Sequence, residues 1–407
     1  MAVGPDTFPL LPPIAGMRLG VAKAGLRKGE GSDLTVFELA PGSEIAAVFT
    51  TNAFCAAPVL VAKAHLQRET GNIRWLVINA GNANAGTGPQ GLHDAKQTCE
   101  VLAAMVEGRS GQILPFSTGV IGEPLPLDRI IQALPQALES LSDHGWQEAA
   151  RAIMTTDTRP KGAVAHCTVD GRPVTVAGIA KGAGMIAPNM ATMLAFVGTD
   201  AKVERQVLQQ VLSAAVERSF NAISVDGDTS TNDACVLMAT GKAANDAIVE
   251  SHPDFVSFRS AVFSVCGQLA EAIVRDGEGA TKLIHIQVEE AVDLDEARQV
   301  GFTVANSPLV KTAFFAGDPN WGRILAAVGR AGCSNLEIER VRIWLDEVNV
   351  VANGGRALDY TEEAGQQVMQ RQEITIRIAL GRGQVSARMM TCDLSYDYVR
   401  INAEYRT

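Results

Sequence analysis

The chain has 407 residues, of which 47% are hydrophobic and 20% are charged, a composition typical of a globular protein with a large buried core and room for two domains. Its formal net charge of −10 argues against a broad basic surface, so neither nucleic acid nor anionic membrane lipid is expected as a partner. No apolar run has the length of a signal-peptide core or a membrane span, so we expect a cytoplasmic location.

Strand, glycine loop and helix follow one another early in the chain. Buried strands are predicted where apolar residues run together between turn signals, and helices where apolar residues recur every three to four positions. In chain order the expected elements are a strand over residues 73–80, the glycine-rich loop 81–88 (GNANAGTG), a helix over 93–107, a strand over 112–117 that ends at Thr118-Gly119, and a helix over 127–141.

A β-hairpin is expected in the middle of the chain. Two strand-like runs between Ala163 and Ala180 flank Asp170-Gly171, a dipeptide typical of two-residue hairpin turns. Hairpins favour mixed or antiparallel sheets over a doubly wound parallel sheet, and we place a domain boundary near residue 290. The later elements are helices over 207–216 and 262–273 and strands over 284–288, 341–351 and 373–380.

One glycine motif indicates a nucleotide site that its neighbours do not support. The segment from Gly182 to Ala187 matches the dinucleotide fingerprint GxGxxA and follows a predicted strand. The fingerprint also requires a helix that begins in the loop, but Pro188 lies where that helix would already be established. A dinucleotide-binding module therefore remains only as an alternative from another functional class, beside a non-catalytic scaffold.

No metal site or conventional hydrolase site can be assembled from residue spacing. The run that starts at Asp226 begins like a calcium loop, but Thr231 and Leu237 occupy the positions where such a loop needs glycine and a carboxylate. The six histidines form no HExxH motif, the seven cysteines form no CxxC pair, and the serines form no GxSxG elbow. We therefore expect no bound metal, and any nucleophile must be activated in another way.

A long motif in the centre of the chain carries a family resemblance. Residues 181–196 (KGAGMIAPNMATMLAF) closely resemble the cleavage-site signature of the ornithine acetyltransferase family, the bifunctional glutamate N-acetyltransferases of arginine biosynthesis. Further segments similar to this family run in order along essentially the whole chain: GNANA at 81–85, STGVIG at 117–122, MTTDT at 154–158, SVDGDTSTND at 224–233, RDGEGATK at 275–282, GDPNWGRI at 317–324 and VRINAEYRT at 399–407.

This resemblance implies a fold and a maturation step. The implied fold class is α+β, with an αββα sandwich like that of the self-processing aminopeptidases over residues 1–290. A smaller C-terminal α/β domain over 291–407 would return its tail to the active site. Cleavage between Ala191 and Thr192 would give chains 1–191 and 192–407, and the family implies a heterotetramer of two copies of each.

The implied reaction explains why the chain would cut itself. A threonine hydroxyl is a weak nucleophile, but the α-amine of an N-terminal threonine, with a pKa of roughly 7.7–8.0, can accept its proton. Thr192 would take acetyl from N2-acetylornithine and pass it to glutamate in a ping-pong reaction. No cofactor is needed for exchange between two amides, and the resemblance leaves open whether acetyl-CoA also serves as a donor. The rival reaction is that of an N-terminal-nucleophile aminopeptidase or amidase, in which water takes the acyl group.

The resemblance also implies roles for individual residues. The Thr118 hydroxyl and the Gly119 N–H would form the oxyanion hole for the tetrahedral intermediate. Lys181 is suited to a substrate carboxylate and Glu278 to a substrate ammonium group. The full set of implied substrate-binding residues is Thr155, Lys181, Thr192, Glu278, Asn402 and Thr407, with Asp226, Asp228 and Arg323 as weaker candidates for supporting structure.

Overall fold

The computed structural model describes residues 2–69, 72–187 and 193–404. Strands and helices alternate irregularly within these ranges, which makes the fold α+β. The strands, in chain order, are β1 (Met17–Ala22), β2 (Leu34–Leu39), β3 (Glu44–Phe49), β4 (Trp75–Asn82), β5 (Ile113–Val120), β6 (Lys161–Val169), β7 (Arg172–Lys181), β8 (Leu194–Thr199), β9 (Ala234–Ala239), β10 (Leu283–Ala291), β11 (Arg342–Leu345), β12 (Val348–Ala352), β13 (Gly355–Arg356), β14 (Glu373–Ala379) and β15 (Val385–Cys392).

The α-helices are distributed along the whole described part of the chain. The α-helices, in chain order, are α1 (Ala57–Arg68), α2 (Gly88–Met105), α3 (Leu127–Glu139), α4 (Trp146–Ala152), α5 (Arg205–Arg218), α6 (Phe255–Arg275), α7 (Leu294–Ala305), α8 (Pro308–Ala316), α9 (Trp321–Gly329), α10 (Glu362–Met369) and α11 (Tyr396–Glu404). None of the helices in the described ranges is long and apolar enough to cross a membrane.

Two sheets stack face to face in the first part of the chain. The described strands form one sheet in the order β1-β2-β4-β5 and a second in the order β3-β9-β8-β7-β6. Aromatic side chains fill the space between them: the ring centroids of Phe116 on β5 and Phe196 on β8 lie 5.2 Å apart, and Phe37 on β2 contacts Phe196 at 5.4 Å. Burial of these rings removes a large apolar area from water and fixes the two sheets against each other.

Helices cover the outer face of each sheet. Apolar residues of α1, α2 and α3 pack on the first sheet, and those of α5 and α6 pack on the second. Both α5 and α6 bury an apolar stripe of helical period, as predicted from the sequence. The layers therefore run helix, sheet, sheet, helix, and the predicted αββα sandwich is confirmed.

The hairpin that leads to the central motif forms as predicted. Strands β6 and β7 pair antiparallel, with Val169 opposite Arg172. The turn residues Asp170 and Gly171 have φ angles of 52° and 72°, the left-handed values that a tight two-residue hairpin requires. The second strand of the hairpin ends at Lys181, the first residue of the motif that carries the family resemblance.

A third sheet contains the C-terminal strands, in the order β13-β12-β11-β14-β10-β15. Its apolar face is buried against α7, α8, α9 and α10 in a core of its own. The boundary expected near residue 290, between domains 1–290 and 291–407, remains a prediction. Strand β10, which ends at Ala291, pairs within this third sheet.

Candidate active site

A cavity of about 100 Å³ lies where the two stacked sheets meet the C-terminal helix α11. The elements that line it come from distant parts of the sequence: the end of β5, the end of β7, the turn before β9, the segment after α6, and α11 itself. The predicted site residues among its walls are Thr118, Gly119, Thr155, Lys181, Glu278 and Asn402. The structure therefore brings together every predicted site residue that it describes.

Three predicted site residues cannot be located in this way. Ala191, Thr192 and Thr407 lie outside the described residues. The chain resumes at Met193, whose backbone N–H donates to Asp233 Oδ1 at 2.8 Å. Leu194 then starts β8 and pairs with Lys181 on β7. The first residues after the undescribed segment are thus held beside the cavity.

Gly119 lies where two parallel strands crowd each other. It is near the end of β5, opposite Gly81 of β4, and its φ of 136° is in a region that favours glycine. A Cβ built on Gly119 would lie 2.2 Å from the carbonyl carbon of Gly81 and 2.5 Å from the Asn82 nitrogen. Because these contacts are with backbone, no side-chain movement relieves them, and only glycine fits.

We expect a Gly119→Ala variant to be destabilised by about 1–3 kcal/mol beyond the backbone strain, since the added methyl overpacks the strand ends. Gly171→Ala is the matched control, because Gly171 also has a positive φ, of 72°, but nothing lies within 4 Å of its Cβ position. Chemical denaturation of the two variants measures the difference. Equal losses of unfolding free energy would contradict the crowding argument.

Lys181 is a buried cation at the end of β7 that faces the cavity. Burial lowers the pKa of its ammonium group below the usual value, although nearby carboxylates, Asp157 foremost, oppose the shift. No hydrogen bond or ion pair occupies its Nζ among residues 2–69, 72–187 and 193–404. A buried ammonium group that lines a cavity is suited to an anionic ligand such as a carboxylate.

A buried ion cluster lies beneath Lys181. The Lys161 ammonium group pairs with Asp157 Oδ1 at 2.5 Å and with Asp276 Oδ2 at 2.6 Å, and all three side chains are buried. Burial alone would raise the pKa of Asp157, but Lys161, Lys181 and a backbone N–H outweigh it and hold that pKa well below its usual range. Asp157 therefore stays ionised at neutral pH.

The Asp157 carboxylate also holds two backbone segments of the cavity wall. It accepts the N–H of Gly182 at 2.7 Å and the N–H of Thr155 at 3.0 Å. Asp276 in turn accepts the N–H of Thr158 at 3.0 Å. The ion cluster thus fixes the strand end that carries Lys181 and the loop that carries Thr155.

Glu278 supplies a carboxylate to the same cavity. Its Oε2 accepts a hydrogen bond from Asn402 Nδ2 of α11 at 2.7 Å, and its backbone N–H donates to the Ala183 carbonyl at 2.8 Å. A Cβ on Gly184 would lie 2.4 Å from the Glu278 carboxylate, so glycine is needed there for the carboxylate to approach. The cavity therefore presents an ammonium group and a carboxylate to any ligand.

Asp226 fixes the segment just before the undescribed residues. Its carboxylate accepts the backbone N–H groups of Met185 at 2.6 Å and Ile186 at 3.0 Å, and the Tyr398 hydroxyl of α11 at 3.3 Å. Burial raises the pKa of Asp226, although these backbone donors oppose the shift. Residues 182–187 contain no helix, so the start of helix that a dinucleotide fingerprint requires is missing from the described part of that loop.

Sequence reasoning left several supporting residues out of the site. Asp157, Asp276 and Asn232 lie inside the segments that resemble the family, so those segments were the available signal. Lys161 lies outside all of them, and nothing in its sequence neighbourhood indicates burial. Arg323 and Asp228 are not among the cavity walls that the structure describes.

The comparison with known proteins covers nearly the whole chain. The sequence profile of the ArgJ family matches residues 18–407. The arginine biosynthesis bifunctional protein ArgJ of Methylococcus capsulatus is 63% identical over 411 residues, and that of Pseudomonas fluorescens is 54% identical over 408 residues, with 100% of each chain covered in both cases.

Two solved structures are also similar. The crystal structure of the arginine biosynthesis bifunctional protein ArgJ from Bacillus halodurans is 40% identical, covers 50% of this chain and 95% of that chain, and has a TM-score of 0.48. The ornithine acetyltransferase of Mycobacterium tuberculosis, complexed with ornithine, is 34% identical, covers 43% of this chain and 92% of that chain, and has a TM-score of 0.38. From the family match and the full-length relatives, the chain belongs to the ArgJ family.

Proposed function

We propose that the protein transfers acetyl from N2-acetylornithine to glutamate through an ester on Thr192, after self-cleavage has made Thr192 an N-terminal residue. As a member of the ArgJ family, the protein is an enzyme of arginine biosynthesis. Beyond this membership, we propose the identity of the nucleophile, the two substrates and the order of the steps.

One observation carries the proposal: a cavity that combines Thr118, Gly119, Lys181 and Glu278 opens beside the start of β8. Thr192 is bonded to Met193, the residue before β8, and consecutive Cα atoms are about 3.8 Å apart. The proposed nucleophile is thus attached one residue before Met193, and Leu194, the next residue, pairs with Lys181 in the cavity wall. This supports an acyl-transfer site built around residue 192.

Self-cleavage would proceed by an N-to-O acyl shift. The Thr192 hydroxyl oxygen attacks the carbonyl carbon of Ala191, the peptide C–N bond breaks, and the hydroxyl proton passes to the released nitrogen. Water then hydrolyses the ester that joins the two chains. Ala191 is left with a carboxylate, and Thr192 is left with a free amine and a free hydroxyl.

Acetyl transfer would use the new amine as the base. It accepts the hydroxyl proton as the Thr192 oxygen attacks the acetyl carbonyl of N2-acetylornithine, and the proton then passes to the leaving nitrogen of ornithine. The neutral amine of glutamate next attacks the acetyl ester, the C–O bond breaks, and a proton returns to the Thr192 oxygen. The Thr118 hydroxyl and the Gly119 N–H would donate to the oxyanion in both halves.

The charges of the cavity match groups on the two substrates. Lys181 is suited to the α-carboxylate that N2-acetylornithine and glutamate share, and Thr155 and Asn402 are suited to polar groups nearby. Glu278 is suited to the side-chain ammonium group, which only ornithine and its acetyl derivative carry. Thr407 completes the proposed set through its hydroxyl.

A Glu278→Gln variant should bind N2-acetylornithine less tightly and should bind glutamate at least as tightly as the wild type does. Loss of one charge-assisted hydrogen bond of about 1.5–3 kcal/mol raises the KM for N2-acetylornithine by about tenfold or more, while the KM for glutamate stays the same or falls. Steady-state kinetics with each substrate varied in turn measure the two effects. Glu148→Gln, at an exposed position of α4, is the control. An unchanged KM for the donor would mean that Glu278 does not bind the ammonium group.

Product analysis tests the proposed reaction against its nearest rival. Incubation with N2-acetylornithine and glutamate should release N-acetylglutamate and ornithine in equal amounts. An N-terminal-nucleophile aminopeptidase or amidase would release free acetate instead, because water would take the acyl group. The same assay with acetyl-CoA in place of N2-acetylornithine shows whether a thioester also serves as donor.

We also propose that the two chains remain together after the cut, as a heterotetramer of chains 1–191 and 192–407. Strand β7 before the cut and β8 after it are neighbours in one sheet, and side chains on both faces of that sheet pack into apolar cores. Separation of the chains would expose that core to water, which is strongly unfavourable. Native mass spectrometry measures the stoichiometry.

A further inference from the structure

Two consecutive buried side chains, Asn232 and Asp233, reach opposite sides of the proposed active site. They follow one another in the turn immediately before β9. Asn232 contacts the first sheet, which carries the proposed oxyanion hole, whereas Asp233 contacts Met193, the residue that follows the proposed nucleophile in the chain. No role was predicted for either residue from the sequence.

The Asn232 side chain fixes the ends of the first sheet. Its Nδ2 donates to the carbonyl oxygen of Ala83 at 2.6 Å, just beyond β4, and to that of Ser117 at 2.9 Å on β5. Ser117 directly precedes Thr118. The Asn232 Oδ1 accepts the Thr231 hydroxyl at 2.5 Å, which fixes the orientation of the amide. Both hydrogen bonds of the Asn232 Nδ2 group therefore join the ends of β4 and β5.

The Asp233 side chain fixes the chain on the other side of the cavity. Its Oδ1 accepts the backbone N–H of Met193 at 2.8 Å, and the Met193 carbonyl accepts the N–H of Ala234 at 3.1 Å. Met193 is thereby held at both of its backbone polar groups, one residue after Thr192. Strands β8 and β9 then run parallel from Leu194 and Ala234.

We propose that Asn232 and Asp233 are positioning residues that set the separation between the nucleophile at residue 192 and the oxyanion-binding strand end at Thr118-Gly119. This inference rests on the proposed function. The two residues are joined by a single peptide unit, so their Cα atoms are about 3.8 Å apart, and the hydrogen bonds of each side chain fix its direction. Acyl transfer depends steeply on such spacing, because a displacement of about 1 Å reduces the rate about 100-fold.

Asn232→Asp tests the first half of the inference with little change in side-chain size. It replaces the Nδ2 donor with an oxygen that faces two carbonyl oxygens, so the strand ends should move apart. We expect the self-cleavage rate constant, or kcat measured on the cleaved fraction, to fall by about 10–100-fold, with the KM of each substrate changed by less than about threefold.

Asn245→Asp is the matched control. Asn245 is also buried, and its Nδ2 also donates to two backbone carbonyls, those of Lys202 at 3.0 Å and Asp246 at 2.6 Å. It lies beyond the other end of β9, about 20 Å along a strand of that length. Both variants should lose thermal stability, but the control should keep kcat and the self-cleavage rate within about twofold, since no reacting group is displaced.

Asp233 provides a second test that does not depend on how well the Asn232 variant folds. Asp233→Asn keeps an oxygen that can accept the Met193 N–H, whereas Asp233→Leu removes it at similar volume. We expect the self-cleavage rate constant and kcat of the Asn variant to stay within about fivefold of the wild-type values. In the Leu variant both should fall by about 10–100-fold.

Equal effects of Asn232→Asp and Asn245→Asp, or a loss confined to KM, would overturn the inference, as would equal rates for the two Asp233 variants. A different result would overturn the proposed function. In that case the wild-type protein itself would neither cut its chain nor transfer acetyl.

Discussion

A Thr192→Ala variant should remain a single chain of 43.0 kDa and should lose acetyl transfer. Without the hydroxyl there is no atom to attack the Ala191 carbonyl, so the α-amine that serves as base never forms. The same change removes the acceptor of the acetyl group. We therefore expect kcat to fall by about 10⁴-fold or more, the scale on which loss of a covalent nucleophile lowers catalysis.

Thr192→Ser separates the chemistry of the hydroxyl from the structure around it. Serine keeps the hydroxyl and, after cleavage, the adjacent amine, so this variant should still cut its chain and transfer acetyl, at a reduced rate. Denaturing electrophoresis and turnover assays measure both properties. Cleavage of the alanine variant at the same bond would show that residue 192 is not the attacking group.

A Lys161→Met variant should lose about 3–5 kcal/mol of its free energy of unfolding at neutral pH, because it leaves Asp157 and Asp276 buried without their shared cation. Methionine occupies a similar volume, so packing changes little. Asp157 anchors the N–H groups of Thr155 and Gly182, and we expect the cavity wall to loosen as well. Chemical denaturation measures the change in stability.

The pH dependence of stability should change sign in this variant. In the wild type the folded-state pKa of Asp157 is depressed. The ionised carboxylate therefore contributes to the free energy of unfolding above the unfolded pKa, near 3.8, and this contribution is lost as pH falls through the lower folded pKa. In the variant, Lys181 and the Gly182 N–H still oppose burial, but the largest opposing cause is gone, so we expect the folded-state pKa of Asp157 to rise above its unfolded value and stability to be lost as pH rises through it. Unfolding measured from pH 7 down to about 4 should therefore show a gain of stability on acidification only in the variant.

Lys311→Met is the matched control for this experiment. Lys311 is also buried, but its Nζ donates to the Thr391 hydroxyl at 2.8 Å and to the Cys392 carbonyl, and no carboxylate pairs with it among the residues that the structure describes. Removal of the Lys311 ammonium group therefore leaves no paired carboxylate buried without its cation. A gain of stability on acidification in the Lys311 variant, or its absence in the Lys161 variant, would contradict the role assigned to the ion cluster.

Elements with strong local signals were predicted well from the sequence. The β6–β7 hairpin forms as predicted because Asp170-Gly171 is a local signal for a tight two-residue turn. Helix α2 is less well predicted: it begins at Gly88, whereas apolar spacing indicated residue 93. A proline fits the first helical turn without loss of a hydrogen bond, so Pro89 starts the helix before the apolar stripe becomes visible.

The candidate site was predicted only in part, because its supporting contacts join distant positions. Lys161 and Asp276 are separated by 115 residues, and Asn232 and Ser117 are separated by the same number. A lysine or an aspartate is usually exposed, so residue type alone indicates solvent contact and not a buried ion pair. Family resemblance located the residues that face the cavity, whereas the network that holds them required the packed sheets.

The central claim is that one residue supplies both the nucleophilic hydroxyl and the amine that activates it, and that the chain creates this amine by cutting itself. Intact-mass measurement of wild-type protein, acid-quenched after incubation with N2-acetylornithine alone, tests this most directly. We predict two chains, the second starting Thr192-Met193-Leu194 and carrying one acetyl group that disappears when glutamate is added. A fully active enzyme whose chain is uncut, or whose 192–407 chain never carries acetyl during turnover, would contradict the account.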